Sequence, residues 1–184
     1  MAAENIGTLM DPASERAKRG AFFFPMLFTS IICAAWFLAR FLWAGTSVPK
    51  AADFGVGVAL TVLMLFSIGP MSGARTKLIR GEDAAALGRL AALLGIAVLV
   101  VVGIIATWWA VPIGTGYGGI YDITSGWILL YFVGGVLGLL ASLMKGKQVL
   151  ERFQSERWVA HNVLSFWGEL VLLWTVFFIV FYIA

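Results

Sequence analysis

Few residues in this chain are of a type that could do chemistry inside an apolar setting, and Glu169 is the foremost. It stands within Asn162–Ala184, NVLSFWGELVLLWTVFFIVFYIA, between Trp167 and Trp174. A run of that length crosses a bilayer at ~1.5 Å per residue. A carboxylate at the centre of such a run costs roughly 2.5–3.5 kcal/mol to insert, so it calls for a role in proton or ion passage or in assembly. His161 is the only histidine and Cys33 the only cysteine. Bis-histidine haem ligation within the chain is therefore excluded, as are a c-type attachment motif, an intrachain disulfide and a thiolate metal cluster. A copper or zinc site built from this chain alone lacks donors, and no Ser/Asp constellation accompanies His161 to make a hydrolytic triad. His161 reads as an interfacial residue beside a basic joint.

A proton relay needs several ionisable groups in sequence, and Glu169 is the one acid read as lying well inside a span. Arg40 lies toward the opposite face, where it can snorkel to the headgroups beside Trp43. The expectation for Glu169 is thus assembly: a pairing with a neighbouring subunit or with a base such as Arg89. Transport through Glu169 is the competing reading.

The elements that must position these groups are apolar. Of the 184 residues, 61% are hydrophobic and 12% charged, with a mean hydropathy of +0.93. Soluble domains carry about 25% charged residues, so the composition predicts an integral membrane protein. Five apolar runs stand out, at about 21–45, 54–73, 85–111, 123–144 and 162–184, forming one domain over 21–184 after a polar segment, 1–20. That segment has neither a signal-peptide core nor the composition of an organellar targeting sequence. Gly69–Pro70 should break or kink the second run near its exit. Gly134 and Gly138 form a GxxxG in the fourth run, which permits close helix contact.

Positive charge is unevenly distributed. Arg16, Lys18 and Arg19 precede the first run; Arg75, Lys77, Arg80 and Arg89 surround the second joint; Lys145, Lys147, Arg152 and Arg157 occupy the fourth. The first joint has Lys50 alone, and the third, Pro112–Asp122, has no Lys or Arg. The asymmetry predicts a cytoplasmic N-terminus and, after five spans, a C-terminus outside. It also accounts for the net charge of +3 without any nucleic-acid partner. The third joint, PIGTGYGGIYD, reads as an exoplasmic turn with interfacial tyrosines. The fourth, KGKQVLERFQSERWVAH, has the pattern of a short amphipathic surface helix.

The stretch Phe166–Trp174, FWGELVLLW, resembles the YWHFVDVVW run in the last helix of subunit III of the haem-copper oxidases. The preceding run, GGIYDITSGWILLYFVGGVLGLL, is similar to the family's next-to-last helix, with Thr124, Gly126 and Gly135 near the family positions. Leu94–Gly95 and the first-run stretch LFTSIICAAWF add degenerate matches. The resemblance covers most of the chain in helix number and order. It implies an all-α, five-transmembrane-helix bundle in a bacterial inner membrane, with the C-terminus periplasmic. It further implies a non-catalytic accessory subunit that carries no cofactor and packs against a larger catalytic subunit holding haem and copper. Carried onto this chain, it places phospholipid near Arg16, Lys18, Arg19 and Arg75. The subunit interface is expected at Gly134, Gly138, Trp167, Glu169 and Trp174. Several family positions differ: Ile31 stands where the first-helix Glu belongs, Trp127 and Leu130 stand for histidines, Gly168 stands for the last-helix His, and Glu169 is two positions from the family's Asp. These changes fit a scaffold better than a proton-uptake role. An accessory subunit of a photosynthetic or nitric-oxide-reducing complex is a further alternative.

Overall fold

The computed structural model describes residues 12–45, 48–49, 52–111, 114–148 and 157–184, with side chains described from Phe23 onward except at 145–148 and 157. The described residues are helical, without strands. Helix α1 spans Pro12–Ala44, α2 Phe54–Phe66, α3 Ile68–Ile79, α4 Asp83–Trp108, α5 Gly116–Gln148 and α6 Arg157–Phe178, which ends in a π-helical turn, Ile179–Ile183. Among the described residues, five stretches are long and apolar enough to cross a membrane: Phe23–Ala44, Phe54–Ile79, Asp83–Trp108, Gly116–Met144 and Trp158–Ile183. The chain is a multi-pass, all-helical membrane protein. Residues 1–11 and 149–156, which hold much of the expected surface helix, lie outside the described residues.

Two boundaries differ from those expected, each for a local reason. The second span continues past Gly73 to Ile79, and its interruption falls at Ser67. Pro70 has no N–H, so the carbonyl of Phe66, four residues earlier, loses its helical donor and the ladder breaks there. The Ser67 N–H is shared between Leu63 O and Met64 O, both at 3.1 Å, and its hydroxyl donates to Met64 O at 2.6 Å. The fourth span starts at Gly116, so the latter half of the glycine-rich joint is helix and not turn. Thr115 caps it: its Oγ1 accepts from Gly118 N at 2.9 Å and its carbonyl from Gly119 N at 3.0 Å. A threonine in this position satisfies donors that a helix start otherwise leaves orphaned.

The remaining ends are closed by familiar devices. Asp53 Oδ1 accepts from Gly55 N at 2.8 Å and Val56 N at 3.3 Å at the start of α2. After α3, Gly81 takes φ +74°, Glu82 N bonds Lys77 O at 2.9 Å and Gly81 N bonds Leu78 O at 3.2 Å. This is a glycine-terminated Schellman end, and it turns the chain into α4 within three residues.

The last helix is the hub of the bundle. α6 packs against α1, α2, α3 and α5, while α4 packs against α2, α3 and α5. Its span is 44% buried against 22% for the first. Lipid supplies no hydrophobic drive between helices, so close packing must supply the contact energy. Glycines make room for it: Cβ atoms added at Gly57, Gly103 and Gly138 would stand 2.8 Å from the Tyr182 ring, 2.3 Å from Leu60 and 2.9 Å from Val163.

Candidate functional site

The acid that the sequence singled out is held by a hydroxyl. Ser30 Oγ, on α1, donates to Glu169 Oε1 at 2.7 Å, bridging α1 and α6. Cys33, fully buried, follows Ser30 by one turn of α1. Glu169 Oε2 is buried and has no hydrogen-bond donor among the described residues. The expected base, Arg89, lies elsewhere: its side chain runs over Gly73 of α3, where an added Cβ would sit 3.5 Å from its Cδ and Nε. The correction is physical. A hydroxyl on a neighbouring span can satisfy one carboxyl oxygen without bringing a second charge into the apolar layer.

Of the residues expected at a subunit interface, three are already occupied within the chain. Trp167 and Trp174 have no exposed surface. Trp167 Nε1 donates to Ser67 Oγ at 2.8 Å, and Trp174 Nε1 to Thr61 Oγ1 at 3.1 Å. Thr61 in turn donates to Gly57 O at 2.8 Å. A third indole, Trp108, donates to Ser125 Oγ at 2.7 Å. In each case an indole N–H rests on a hydroxyl of another helix, because no water is available to accept it in the apolar layer. Phe132 meets both Trp167 and Trp174 edge-on, with centroids 5.6 and 6.4 Å away. These tryptophans tie α6 to α2 and α5 and present no face to another subunit. Gly138 faces Val163 of α6, and Gly135 faces Leu170 and Trp167. Only Gly134 of the GxxxG pair is open on the outer surface. The two glycines therefore serve different faces: one admits α6, the other lies outside the bundle.

A second group, whose members the sequence reading had placed at the membrane surface, closes the end of the bundle where α1 ends and α5 begins. Arg40 does not snorkel outward; it is fully buried. Its Nη1 donates to the Gly45 carbonyl, and its guanidinium lies 4.8 Å from the Tyr117 ring and 6.0 Å from that of Phe181. Gly45, at φ +68°, turns its carbonyl toward the arginine. The Tyr117 hydroxyl donates to Phe181 O, satisfying a carbonyl at the end of the last helix. The Tyr121 and Tyr182 hydroxyls are 2.6 Å apart. Phe177 and Phe181 stack at 4.6 Å. The two tyrosines expected at the interface are thus interior, since both belong to α5 and face α6. Their i, i+4 spacing, matched by Phe177–Phe181, was the signal that could have placed them on helix faces. Beside this cap, a cavity of about 100 Å³ opens between Asp53, Val56, Thr107, Val111 and Tyr182.

The early start of α5 also carries Asp122 into the span. Its Oδ1 is buried with no hydrogen-bond donor among the described residues. Its carbonyl accepts from Ser125 Oγ at 3.3 Å. Asp122 heads an open groove of about 370 Å³ on the outer side of α5, completed by Ile123, Gly126, Trp127 and Leu130. Asp122 thus belongs to a helix long and apolar enough to cross a membrane, where the sequence reading had placed it in a loop.

Of the expected lipid-binding residues, Arg75 is exposed on α3, while the side chains of Arg16, Lys18 and Arg19 lie outside those described. At the same membrane edge, Lys77 pairs with Glu82. The hydrogen bond from Lys77 holds the Glu82 carboxyl below its usual range, with the nearby Arg80 charge acting in the same direction. No three His, Cys, Asp or Glu side chains converge among the described residues. No family model and no curated protein matches the chain.

Proposed function

We propose that the chain is a non-catalytic accessory subunit of a respiratory haem-copper terminal oxidase, in a bacterial inner membrane with the N-terminus cytoplasmic. Haem and copper belong to a larger catalytic partner, and phospholipid binds at the basic edge that includes Arg75. The observation that carries this reading is the place of FWGELVLLW at the centre of a five-span bundle. α6 ties the other spans together through Trp167 and Trp174, as the last helix of a scaffold would. The test is purification from native membranes in a mild detergent, followed by absorption spectroscopy. Co-purification in constant ratio with a haem-bearing partner is the expected outcome. A stable, haem-free assembly overturns the proposal.

A second reading, proton or ion passage through Glu169, draws support from its partly buried position and from the unpartnered Oε2. Its test is flux in liposomes, with Glu169→Gln as the variant. Equal flux in the two proteins removes it.

A further inference from the structure

The cavity of about 100 Å³ beside the tyrosine cap joins a carboxylate to a set of hydroxyls whose protons are already committed. Asp53, Val56 and Ala106 on its wall are exposed, while Thr107, Val111 and Tyr182 are buried, so it runs inward from Asp53 toward Tyr182. Asp53 caps α2 with one oxygen only: Oδ1 accepts from both Gly55 N and Val56 N, which leaves Oδ2 to a further donor. Its charge acts on the Tyr182 hydroxyl. Tyr182 is fixed in place, because an added Cβ at Gly57 would stand 2.8 Å from its ring and Phe178 stacks on it at 5.4 Å.

The hydroxyls behind the cavity have one consistent arrangement of protons. Thr107 Oγ1 donates to Ile104 O at 2.7 Å, and a carbonyl only accepts. Thr107 is then the acceptor in its bond with the Tyr121 hydroxyl. Tyr121, having given its proton to Thr107, accepts that of Tyr182 at 2.6 Å. The Tyr182 oxygen keeps room for a donor and has no proton to offer. Both polar groups that the cavity presents, this oxygen and the Asp53 carboxylate, therefore accept. Its occupant has to donate, and the carboxylate favours one that is positively charged. Water donates as well, but each enclosed water needs about two to four polar partners, and Val56, Ala106 and Val111 supply no polar side chain. An alkyl arm needs none. At ~30 Å³ of liquid volume per water, the space takes a group of about three or four heavy atoms.

We propose that this cavity binds a primary ammonium on a two-carbon arm, the ammonium donating to the Asp53 carboxylate and the Tyr182 oxygen and the arm lying against Val56, Ala106 and Val111. The site stands whether or not the chain is an oxidase subunit.

The experiment titrates ethanolammonium chloride against the full chain in an amine-free detergent and reads binding by saturation-transfer NMR, with choline chloride as the comparison. Choline keeps the arm and the charge but carries three methyl groups in place of the N–H donors. Ethanolammonium should bind at least about tenfold more tightly. Asp53→Asn keeps a residue that caps a helix well and removes only the charge. The bundle should hold its melting temperature while affinity falls by about tenfold or more, the loss of a charge-assisted hydrogen bond. Ala106→Leu, which fills the cavity without altering either polar group, should abolish binding. The same titration in bilayer discs separates two sources of the ammonium. Loss of ethanolammonium binding in discs of ethanolamine phospholipid, but not of choline phospholipid, identifies a lipid headgroup; equal binding in both identifies a soluble amine; either upholds the site. No binding by the wild type would leave water as the occupant and overturn the proposal. Equal affinity for choline, or unchanged affinity in Asp53→Asn, overturns it too.

Discussion

Glu169 and Asp122 are both acids within spans, yet the bundle treats them differently. Glu169 lies at the seam of α1 and α6 and accepts from Ser30 across that seam. Asp122 lines the head of a groove, and the Ser125 hydroxyl one turn on is directed to its backbone carbonyl while accepting from Trp108. Each keeps one buried oxygen without a donor among the described residues, but Glu169 has its other oxygen tied across a helix seam, while Asp122 stands beside a groove. An intramembrane charge is thus no uniform signal of function. Its meaning depends on whether the fold supplies its partner, and the buried tryptophans show how thoroughly this fold supplies partners elsewhere.

The contrast breaks most visibly at those tryptophans. Trp167→Ala removes a fully buried ring and the donor to Ser67, and it should cost about 3–5 kcal/mol. Thermal unfolding of the isolated chain in detergent should show a large loss, with α6 detaching from α2. A variant that melts like the wild type would return Trp167 to the outer surface.

The two acids should respond unequally to one substitution. Asp122→Leu replaces a carboxyl lacking an in-chain donor with an apolar side chain, and should stabilise the isolated chain by about 1–3 kcal/mol. Glu169→Leu gains the same transfer energy but leaves the Ser30 hydroxyl without its acceptor, so its gain should be smaller. Comparison of the two melting curves checks this. Equal gains would mean that the Ser30 bond contributes nothing. A subtler variant isolates that bond: Ser30→Ala should destabilise by about 0.6–2 kcal/mol, as hydrogen bonds between membrane helices do. The same change at Ser125 tests the Trp108 donor instead, and should leave Glu169 unaffected.

Much of this architecture was legible in the sequence because the bilayer imposes a length and a polarity on each span. The five spans and the interruption near Pro70 follow from apolar runs and a missing N–H. The start of α5 did not follow. Four glycines in Gly114–Gly119 read as a turn, and the Thr115 cap is a single residue against that composition. That one boundary hid the interior tyrosines and Asp122 together. The facing of side chains was equally hidden. A tryptophan in an apolar run has the same composition whether it meets lipid or another helix, and only the hydroxyls of α2, distant in sequence, decide it for Trp167 and Trp174. Arg40 was misplaced for a related reason: beside its neighbour Phe41, its aromatic partners come from α5 and the π-helical turn, more than seventy residues away.

A third acid, Glu82, extends the comparison to the water edge and should give the smallest effect. It pairs with Lys77 on the exposed joint between α3 and α4, and that bond holds its carboxyl below the usual range. A depressed folded-state value means that the stabilisation is fully present above the unfolded-state value. It is lost as pH falls through the folded-state one. Melting temperature measured from neutral to acidic pH should therefore show wild type slightly above Glu82→Gln at neutrality, the two curves merging in acid. Because the pair is solvated, salt should shrink the difference as well, screening it within a Debye length of about 10 Å at 0.1 M. A difference that survives both acid and high salt would assign Glu82 a role in the α3–α4 turn beyond its charge. The Schellman bond through its own N–H to Lys77 O, which the substitution leaves intact, would then be insufficient to hold that turn.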